Sequence, residues 1–368
     1  MNNKNFEVYF DCGSSKIRAG AFNKNDPKHS IYKESNFFLD HSTIELEIQK
    51  VISSLETDTN EYLDNVNLMI DSPDLLSISI CLSKKFDGSK LKKEDIKFLI
   101  QDAKQQVLKN YFNQSILHII INNYKINNVN YSYLPENINC KLISLDIFFI
   151  CIPKETIEYF KKKFFELDIS INQIFCSSYA KSIYKKKLLL LKNISFIDIG
   201  FNKTSIISYL KNEIVFMNMI PIGSNHITKD LCNVLKLDFQ KAENLKLSFN
   251  QNITLLNKEK ISSKLIQQII AARVEELLKL CAESIKTNII VLDENKMILM
   301  GEGSKILNNR FMEKILFSYN IELLPETLED ICQSALSLGK KLNKNEVVVI
   351  PKKQIKQGFF EKLFHFFN

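Results

Sequence analysis

Two short runs of the sequence place an aspartate and a glycine at the end of a predicted strand, with hydroxyl side chains close behind. They are FDCGSSK around Asp11 and IDIGFNKT around Asp198. A glycine there lets backbone N–H groups approach a phosphate closely, and the hydroxyls of Ser14, Ser15 and Thr204 can donate to its oxygens. The aspartates could hold a phosphate-bound Mg²⁺, directly or through water. A single Asp-x-Gly turn is usually an ordinary hairpin, but two of them indicate a duplicated fold that closes on a nucleotide.

The elements around each run repeat as well. The strands Glu7–Phe10 and Ile17–Ala21 flank the first turn, and Ile194–Ile199 and Ser205–Leu210 flank the second. Further strands and helices with apolar residues at helical spacing follow in both halves. The pattern predicts a mixed α/β fold built from two similar halves.

The length also favours two lobes. A chain of 368 residues is too long for most single cores, and 45% hydrophobic residues support a fully globular body. Between about 78 and 152 the pattern changes to strand, helix, strand and strand, which predicts a compact α+β insertion.

Charge and ligand spacing exclude several classes of function. The net charge is +7, but 49 basic and 42 acidic residues are mixed without a basic stripe, so we expect no nucleic-acid partner. The five histidines lack zinc-site spacing, so any metal would arrive with the nucleotide. Eight scattered cysteines are typical of reduced core residues in a cytosolic protein. We find neither an apolar signal core nor the ~18 apolar residues of a spanning helix.

These motifs resemble the nucleotide-binding loops of the actin and sugar-kinase superfamily. The residues that resemble its first phosphate loop are Asp11, Gly13, Ser14, Ser15 and Lys16. Those that resemble the second are Asp198, Gly200 and Thr204. The run MGEGSK resembles the adenosine loop through Gly301, Gly303 and Ser304.

Within that superfamily, the chain is similar to the FtsA family of bacterial cell-division proteins. The run GSNHITKD, which starts at Gly223, resembles a helix start of that family, and Glu243 and Lys246 resemble its helix over the adenine. The insertion at 78–152 lies where that family carries its extra subdomain. The resemblance covers nearly all of the chain.

The resemblance implies an actin-like fold, in which duplicated ribonuclease-H-like lobes surround a nucleotide cleft. The first lobe would comprise 1–77 and 153–192, and the second 193–230 and 288–345, with 231–287 as its helical subdomain. The implied ligands are ATP and Mg²⁺, with the metal near Asp11 and Asp198. The implied partners are FtsZ, further copies of the chain in filaments, and an anionic membrane. The implied location is peripheral, on the cytoplasmic face of the cell membrane.

Two departures from the family bear on the chemistry. Where the family has consecutive glycines after the second aspartate, this chain has Phe201 and Asn202. A side chain at Phe201 should hinder the backbone from wrapping a phosphate. Glu302 stands between two glycines where the family prefers small residues. We therefore expect weak nucleotide binding and at most a weak ATPase. The alternatives are a decayed site, a small-metabolite kinase of the same superfamily and a pilus-assembly adaptor.

The C-terminus, KKQIKQGFFEKLFHFFN, predicts an amphipathic helix after a linker that starts at about 346. Its apolar residues form one broad helical face: Phe359, Phe360, Leu363, Phe364, Phe366 and Phe367. Each lysine near an anionic leaflet would add ~1 kcal/mol of binding. A helix this short is marginal alone in water, so we expect it to form on a membrane surface. The alternative is that the phenylalanines fill a groove of the body or of a partner chain.

Overall fold

The computed structural model describes residues 5–26, 28–36, 44–135, 137–248, 262–288, 296–307, 312–340 and 346–347. Within these ranges the chain forms fifteen strands, which we number in chain order. They are Phe6–Cys12 (β1), Lys16–Asn23 (β2), Ser30–Asn36 (β3), Asn65–Ile70 (β4), Leu76–Lys85 (β5), Gln114–Ile126 (β6), Val129–Tyr131 (β7), Leu142–Pro153 (β8), Ser170–Cys176 (β9), Ile194–Ile199 (β10), Thr204–Leu210 (β11), Glu213–Ile220 (β12), Lys296–Met300 (β13), Ile321–Leu323 (β14) and Glu346–Val347 (β15).

The helices of the described ranges are numbered in the same way. They are Ile44–Thr59 (α1), Lys93–Asn110 (α2), Lys154–Phe165 (α3), Ser177–Leu189 (α4), Ser224–Leu235 (α5), Phe239–Ser248 (α6), Ser263–Asn288 (α7), Glu313–Ser318 (α8) and Leu328–Lys340 (α9). A 3-10 helix covers Glu302–Leu307.

Two five-stranded sheets share one topology. The first has the order β3-β2-β1-β4-β9 and the second the order β12-β11-β10-β13-β14. In each sheet, the strand that leads into the Asp-x-Gly turn pairs antiparallel with the next strand and parallel with its other neighbour. The two sheets therefore repeat one design, which confirms the predicted duplication.

Two helices join these sheets into one core. Helix α4 contacts β9 of the first sheet and β10 and β11 of the second. Helix α9 packs against α4 and against β1, β2 and β3, although the sequence-based division placed 288–345 in the second lobe. Its Gly339 lies against Tyr9, where a Cβ would come within 2.4 Å of the hydroxyl. The end of the second half therefore packs on the first sheet.

The segment predicted as an insertion at 78–152 is a separate sheet covered by one helix. Strands β5 to β8 span residues 76–153, and the sheet has the order β15-β6-β8-β5 with β7 paired to β6. Helix α2 buries Ile96, Leu99 and Ile100 at helical spacing. These side chains and the inner faces of the strands form a hydrophobic core of their own. The insertion is thus a distinct packing unit of the chain.

Helices α5, α6 and α7 cover the other face of the second sheet. The long helix α7 buries Ile270, Val274 and Leu278. They share a hydrophobic core with Ile197 and Ile206 of the sheet. This helical layer falls in the segment predicted as a helical subdomain, of which residues 249–261 lie outside the described ranges.

Two membrane-related observations concern different parts of the chain. Of the helices that the structure describes, none combines the length and apolar character needed to cross a bilayer. The predicted amphipathic helix at 359–367 lies outside the described residues. Its membrane role therefore stays a prediction.

Candidate nucleotide-binding cleft

A cleft between the two Asp-x-Gly turns holds a cavity of about 840 Å³. The predicted site residues that line it are Asp11, Gly13, Ser14, Ser15, Lys16, Asp198 and Gly200. The predicted residues outside its lining are Thr204, Gly223, Glu243, Lys246, Gly301, Gly303 and Ser304. The structure thus brings the two predicted phosphate loops together, whereas Thr204 and the predicted nucleoside contacts lie outside the lining.

The two turns have the same backbone geometry. In each, the glycine N–H donates to the carbonyl of the residue three positions later. The bond joins Gly13 to Lys16 in the first turn and Gly200 to Lys203 in the second, at 2.9 Å in both. The two lysines therefore occupy equivalent places in the duplicated fold.

The residues opposite the two aspartates differ. Arg18 lies opposite Asp11 in the β1–β2 pair, and its Nη1 is 3.2 Å from Asp11 Oδ2. The Ser177 hydroxyl donates to the other carboxylate oxygen of Asp11 at 2.6 Å. Opposite Asp198, in the β10–β11 pair, lies the uncharged Ser205. The first hairpin thus supplies a cation to its own aspartate, and the second does not.

Asp198 receives its cation from a helix. Lys181 of α4 forms an ion pair with Asp198, and its Nζ is also 3.5 Å from Glu326 Oε2. Burial alone would lower the pKa of Lys181, but Asp198 and Glu326 hold it above its ordinary value. Burial raises the pKa of Glu326 to about 7, with Lys181 acting in the opposite direction. Lys181 is therefore the shared cation of two buried carboxylates, and its one charge balances only one of them when both are ionised.

Glu302 reaches across the cleft from the segment that follows β13. Its carboxylate lies 3.4 Å from Lys16 Nζ and 3.6 Å from Arg18 Nη2, both on the first sheet. Lys305 adds a third contact at 2.9 Å. Burial acts to raise the pKa of Glu302, but Lys305, Lys16 and Arg18 hold it below its ordinary value. The residue that departs from the family pattern is therefore an ionised contact between the two halves.

Several charged residues of the cleft were missed by the sequence reasoning, among them Arg18, Lys181 and Glu326 described above. Two more are Lys203 and Asp71. Lys203 lines the cavity, and the described residues include no hydrogen-bond or ion-pair partner for its ammonium. Burial lowers the pKa of Lys203, and the charge of Asp71 partly offsets this. Asp71, at the end of β4, accepts from the Ser178 N–H at 3.1 Å, and burial raises its pKa. The repeated spacing Asp-x-Gly-x-x-Lys could have revealed Lys203, whereas Asp71 carries no comparable signal.

The glycines of the adenosine loop and of the α5 start serve packing between loops. A Cβ on Gly301 would meet Asp198 Oδ1 at 2.1 Å, and one on Gly303 would meet the Ile199 carbonyl at 2.8 Å. A Cβ on Gly223 would lie 2.5 Å from the Phe201 carbonyl. These loops lie backbone against backbone, so close packing alone explains why glycine is needed at these positions, even when no ligand is bound.

Two predicted hydroxyl donors are engaged within the protein. The Thr204 hydroxyl donates to the Ile222 carbonyl at 2.7 Å, and its neighbour Ser205 lines the cavity in its place. The Ser304 hydroxyl donates to the Gly301 carbonyl, also at 2.7 Å. Strand alternation explains the first case, since successive residues of β11 point to opposite faces.

The predicted adenine contacts form a buried network. Lys246 Nζ is 2.7 Å from Glu243 Oε2 and 2.8 Å from the Thr228 hydroxyl. Glu243 and Lys246 are 5% and 4% exposed. The ring of Phe201 is 5.7 Å from the same ammonium, and this side chain is only 8% exposed. The residues predicted to contact adenine are therefore bonded to other side chains of the protein.

The first turn offers groups that fit a phosphate, whereas the two aspartates are already paired and are not free for a metal. Ser14 and Ser15 present hydroxyls to the cavity beside Lys16. Asp11 and Asp198, however, are each paired with a cation of the protein. In the part of the chain that the structure describes, no three His, Cys, Asp or Glu side chains are grouped to hold a metal ion. A metal that coordinates either aspartate must first displace Arg18 or Lys181.

Comparison with known proteins points to one family. The family model for the cell division protein FtsA matches residues 195–339. FtsA from Buchnera aphidicola subsp. Schizaphis graminum is 26% identical over 271 residues, which cover 68% of this chain and 62% of that protein. FtsA from Buchnera aphidicola subsp. Acyrthosiphon pisum is 22% identical over 357 residues, with 84% of each chain covered. These matches confirm the resemblance to FtsA.

Among solved structures, a chain of the PilM-PilN type IV pilus biogenesis complex superimposes with a TM-score of 0.63. The sequences are 12% identical, and the alignment covers 90% of this chain and 94% of that one. The fold is actin-like, as the sequence resemblance implied. At this level of identity the likeness concerns the fold alone.

Proposed function

We propose that this chain is an actin-like cell-division protein that binds ATP in the cleft, self-associates and links FtsZ filaments to the cytoplasmic face of the cell membrane. The observation that carries the proposal is the pair of equivalent aspartates on duplicated sheets, which line one cleft in a chain similar to FtsA. FtsZ and the membrane as partners are inferred from the resemblance to FtsA.

The cleft supports a nucleotide as a conformational ligand. The phosphates that ATP supplies would be contacted by Ser14, Ser15 and Lys16. Lys16 is paired with Glu302 of the other half, so an incoming phosphate competes with a contact between the two halves. A ligand with different affinities for two arrangements shifts the balance between them. Binding would in this way alter the surface that each subunit presents to the next.

The bonding of the three aspartates in the cleft supports slow hydrolysis. A group that orients an attacking water must be within hydrogen-bond reach of it and free to accept its proton. Asp11, Asp71 and Asp198 are each bonded to a donor of the protein. We therefore propose at most a weak ATPase.

The inserted unit of residues 76–153 is the proposed contact between subunits. It has its own core, so it can present a surface without strain in the nucleotide cleft. Phe98 and Phe112 on this unit are 67% and 75% exposed. Exposed aromatic side chains are typical of surfaces that bind another protein.

Sedimentation with anionic liposomes tests the membrane link. The wild-type chain should carry FtsZ into the pellet when ATP is present. Phe360→Glu with Phe364→Glu should lower the membrane-bound fraction at least tenfold, because two charges on the inserted face cost a few kcal/mol.

A matched control uses Phe317→Glu, which changes a phenylalanine of the body that is 89% exposed. This variant should pellet with liposomes like the wild type. Both variants should have the same melting temperature as the wild type. If the wild type ignores anionic liposomes, or if the tail variant unfolds, the phenylalanine face belongs to a protein groove and the membrane role is wrong.

A further inference from the structure

The second turn carries Lys203 at the position that corresponds to Lys16 in the first turn. Both turns read Asp-x-Gly-x-x-Lys, and both close through the same 2.9 Å bond from the glycine N–H to the lysine carbonyl. Lys16 Nζ has two acidic neighbours, Glu302 at 3.4 Å and Glu34 at 3.7 Å. Lys203 has no bonded partner among the described residues. Within the described part of the chain, the two equivalent lysines therefore differ in their pairing: the Lys16 ammonium lies in ion pairs, and the Lys203 ammonium does not.

The acids near Lys203 are committed to other donors. Asp71 accepts from the Ser178 N–H and the Cys176 thiol, at 3.1 Å each. Asp198 is paired with Lys181, and Asp11 with Arg18. Burial consequently lowers the pKa of Lys203 despite the acids around it. An ammonium that has lost water and gained no hydrogen-bond partner binds an incoming anion favourably.

The second turn is packed closely by neighbouring loops on the side away from the cavity. A Cβ on Gly200 would lie 2.9 Å from the Lys203 carbonyl, and Gly223 and Gly301 pack directly on this loop. Phe201, between them, is almost fully buried. Phe201, Asn202 and Lys203 all line the cavity, so a phosphate that approaches the second turn meets their side chains, and Lys203 is the cation among them.

We infer that Lys203 binds a phosphate group of the ligand directly, in place of the backbone contacts that Phe201 obstructs. The polyphosphate would then lie between Lys16 of the first turn and Lys203 of the second. The inference rests on the proposed nucleotide-binding function and names the residue that reads the phosphates. It applies to any polyphosphate anion, whether a nucleoside triphosphate or inorganic triphosphate.

Isothermal titration of the full chain with ATP, and separately with inorganic triphosphate, tests the inference. Lys203→Met should weaken both ligands ~10- to 100-fold, because a hydrogen bond to a charged group is lost. Lys203→Arg keeps the charge and should stay within about threefold of the wild type. Lys229→Met, an exposed lysine of α5, should bind like the wild type. An equal loss for both ligands places the contact on the phosphates.

Thermal unfolding without ligand separates binding from stability. Lys203→Met removes a desolvated charge without a partner, so its melting temperature should equal or exceed that of the wild type. If Lys203→Met binds ATP like the wild type, the inference is overturned and the nucleotide-binding function stands. If Lys203→Met melts earlier, Lys203→Arg decides, since lost binding in that variant also overturns the inference. If the wild type binds neither ligand, both proposals fail.

Discussion

The two Asp-x-Gly hairpins are alike in backbone and different in how their charges are balanced. In the first hairpin, the counter-charge of Asp11 comes from the hairpin itself, because Arg18 lies directly opposite Asp11 on the neighbouring strand. The second has Ser205 at that register position, and its Asp198 depends on Lys181 from α4. The same chain geometry thus carries one hairpin with a local counter-charge and one whose counter-charge is supplied by tertiary packing.

The difference extends to the turns themselves. The first turn exposes Ser14 and Ser15 to the cavity. The second turn is packed under Gly223 and Gly301 and carries the buried ring of Phe201. Both turns therefore line the cavity but present different groups to it: two serines in the first turn, and Phe201, Asn202 and Lys203 in the second.

The largest expected effect comes from removing the two cations in turn. Lys181→Met leaves Asp198 and Glu326 buried without their ammonium, and we expect a loss of about 3–5 kcal/mol in the free energy of unfolding. Arg18→Met should cost less, about 1–2 kcal/mol, because Asp11 still accepts from Ser177. Urea denaturation at pH 7.5 measures both values.

The exposed Lys192 provides the control, since Lys192→Met should stay within about 0.5 kcal/mol of the wild type. Equal losses for Lys181→Met and Arg18→Met would show that the two hairpins depend equally on their cations. The contrast drawn between them would then be wrong.

Replacing the glycines of the turns by alanine should have an intermediate effect on the free energy of unfolding. Gly301 has a φ of +90°, and an added Cβ would lie 2.1 Å from Asp198 Oδ1. Gly301→Ala should therefore lower the free energy of unfolding by roughly 2–3 kcal/mol through strain and overlap. Gly13→Ala, whose Cβ would lie 3.1 Å from the Lys16 carbonyl, should cost under about 1 kcal/mol.

Chemical denaturation of the two alanine variants checks this order. A greater loss for Gly13→Ala would mean that the first turn is the more tightly packed one. The conclusion that the loops around the second turn are the more tightly packed ones would then be wrong.

The smallest expected effect is a change in how steeply the free energy of unfolding depends on pH. Burial raises the pKa of Glu326 to about 7, from an ordinary value of 4.5. Between these values the folded chain binds more protons at this site than the unfolded chain does, so the free energy of unfolding falls as the pH rises. Glu326→Gln should remove this fall and change the melting temperature by a few degrees.

Melting temperatures from pH 4.5 to 7.5 show the slope, with Glu158→Gln on the exposed side of α3 as the control. Both variants lose one carboxyl group, but only the variant at Glu326 should flatten the profile. Parallel profiles in the wild type and Glu326→Gln would show that Lys181 keeps Glu326 ionised throughout.

Local patterns predicted much of the fold and part of the site. Alternation and helical spacing located both hairpins, and the insertion expected at 78–152 spans 76–153 in the structure. The residues of the first predicted phosphate loop line the cleft, and their contact with a phosphate stays a prediction. Thr204 does not line it, because the face to which a strand residue points depends on the register of its sheet.

The sequence by itself determined the duplicated turns, the strands that hold them and the two aspartates, because these depend on residues within a few positions of each other. Only the tertiary structure decided the electrostatics of the cleft. Lys181 and Glu326 are 145 residues apart, and Lys16 and Glu302 are 286 apart. No periodicity links such partners, and burial, which sets whether a charge must be paired, exists only once the two sheets have packed on their shared helices.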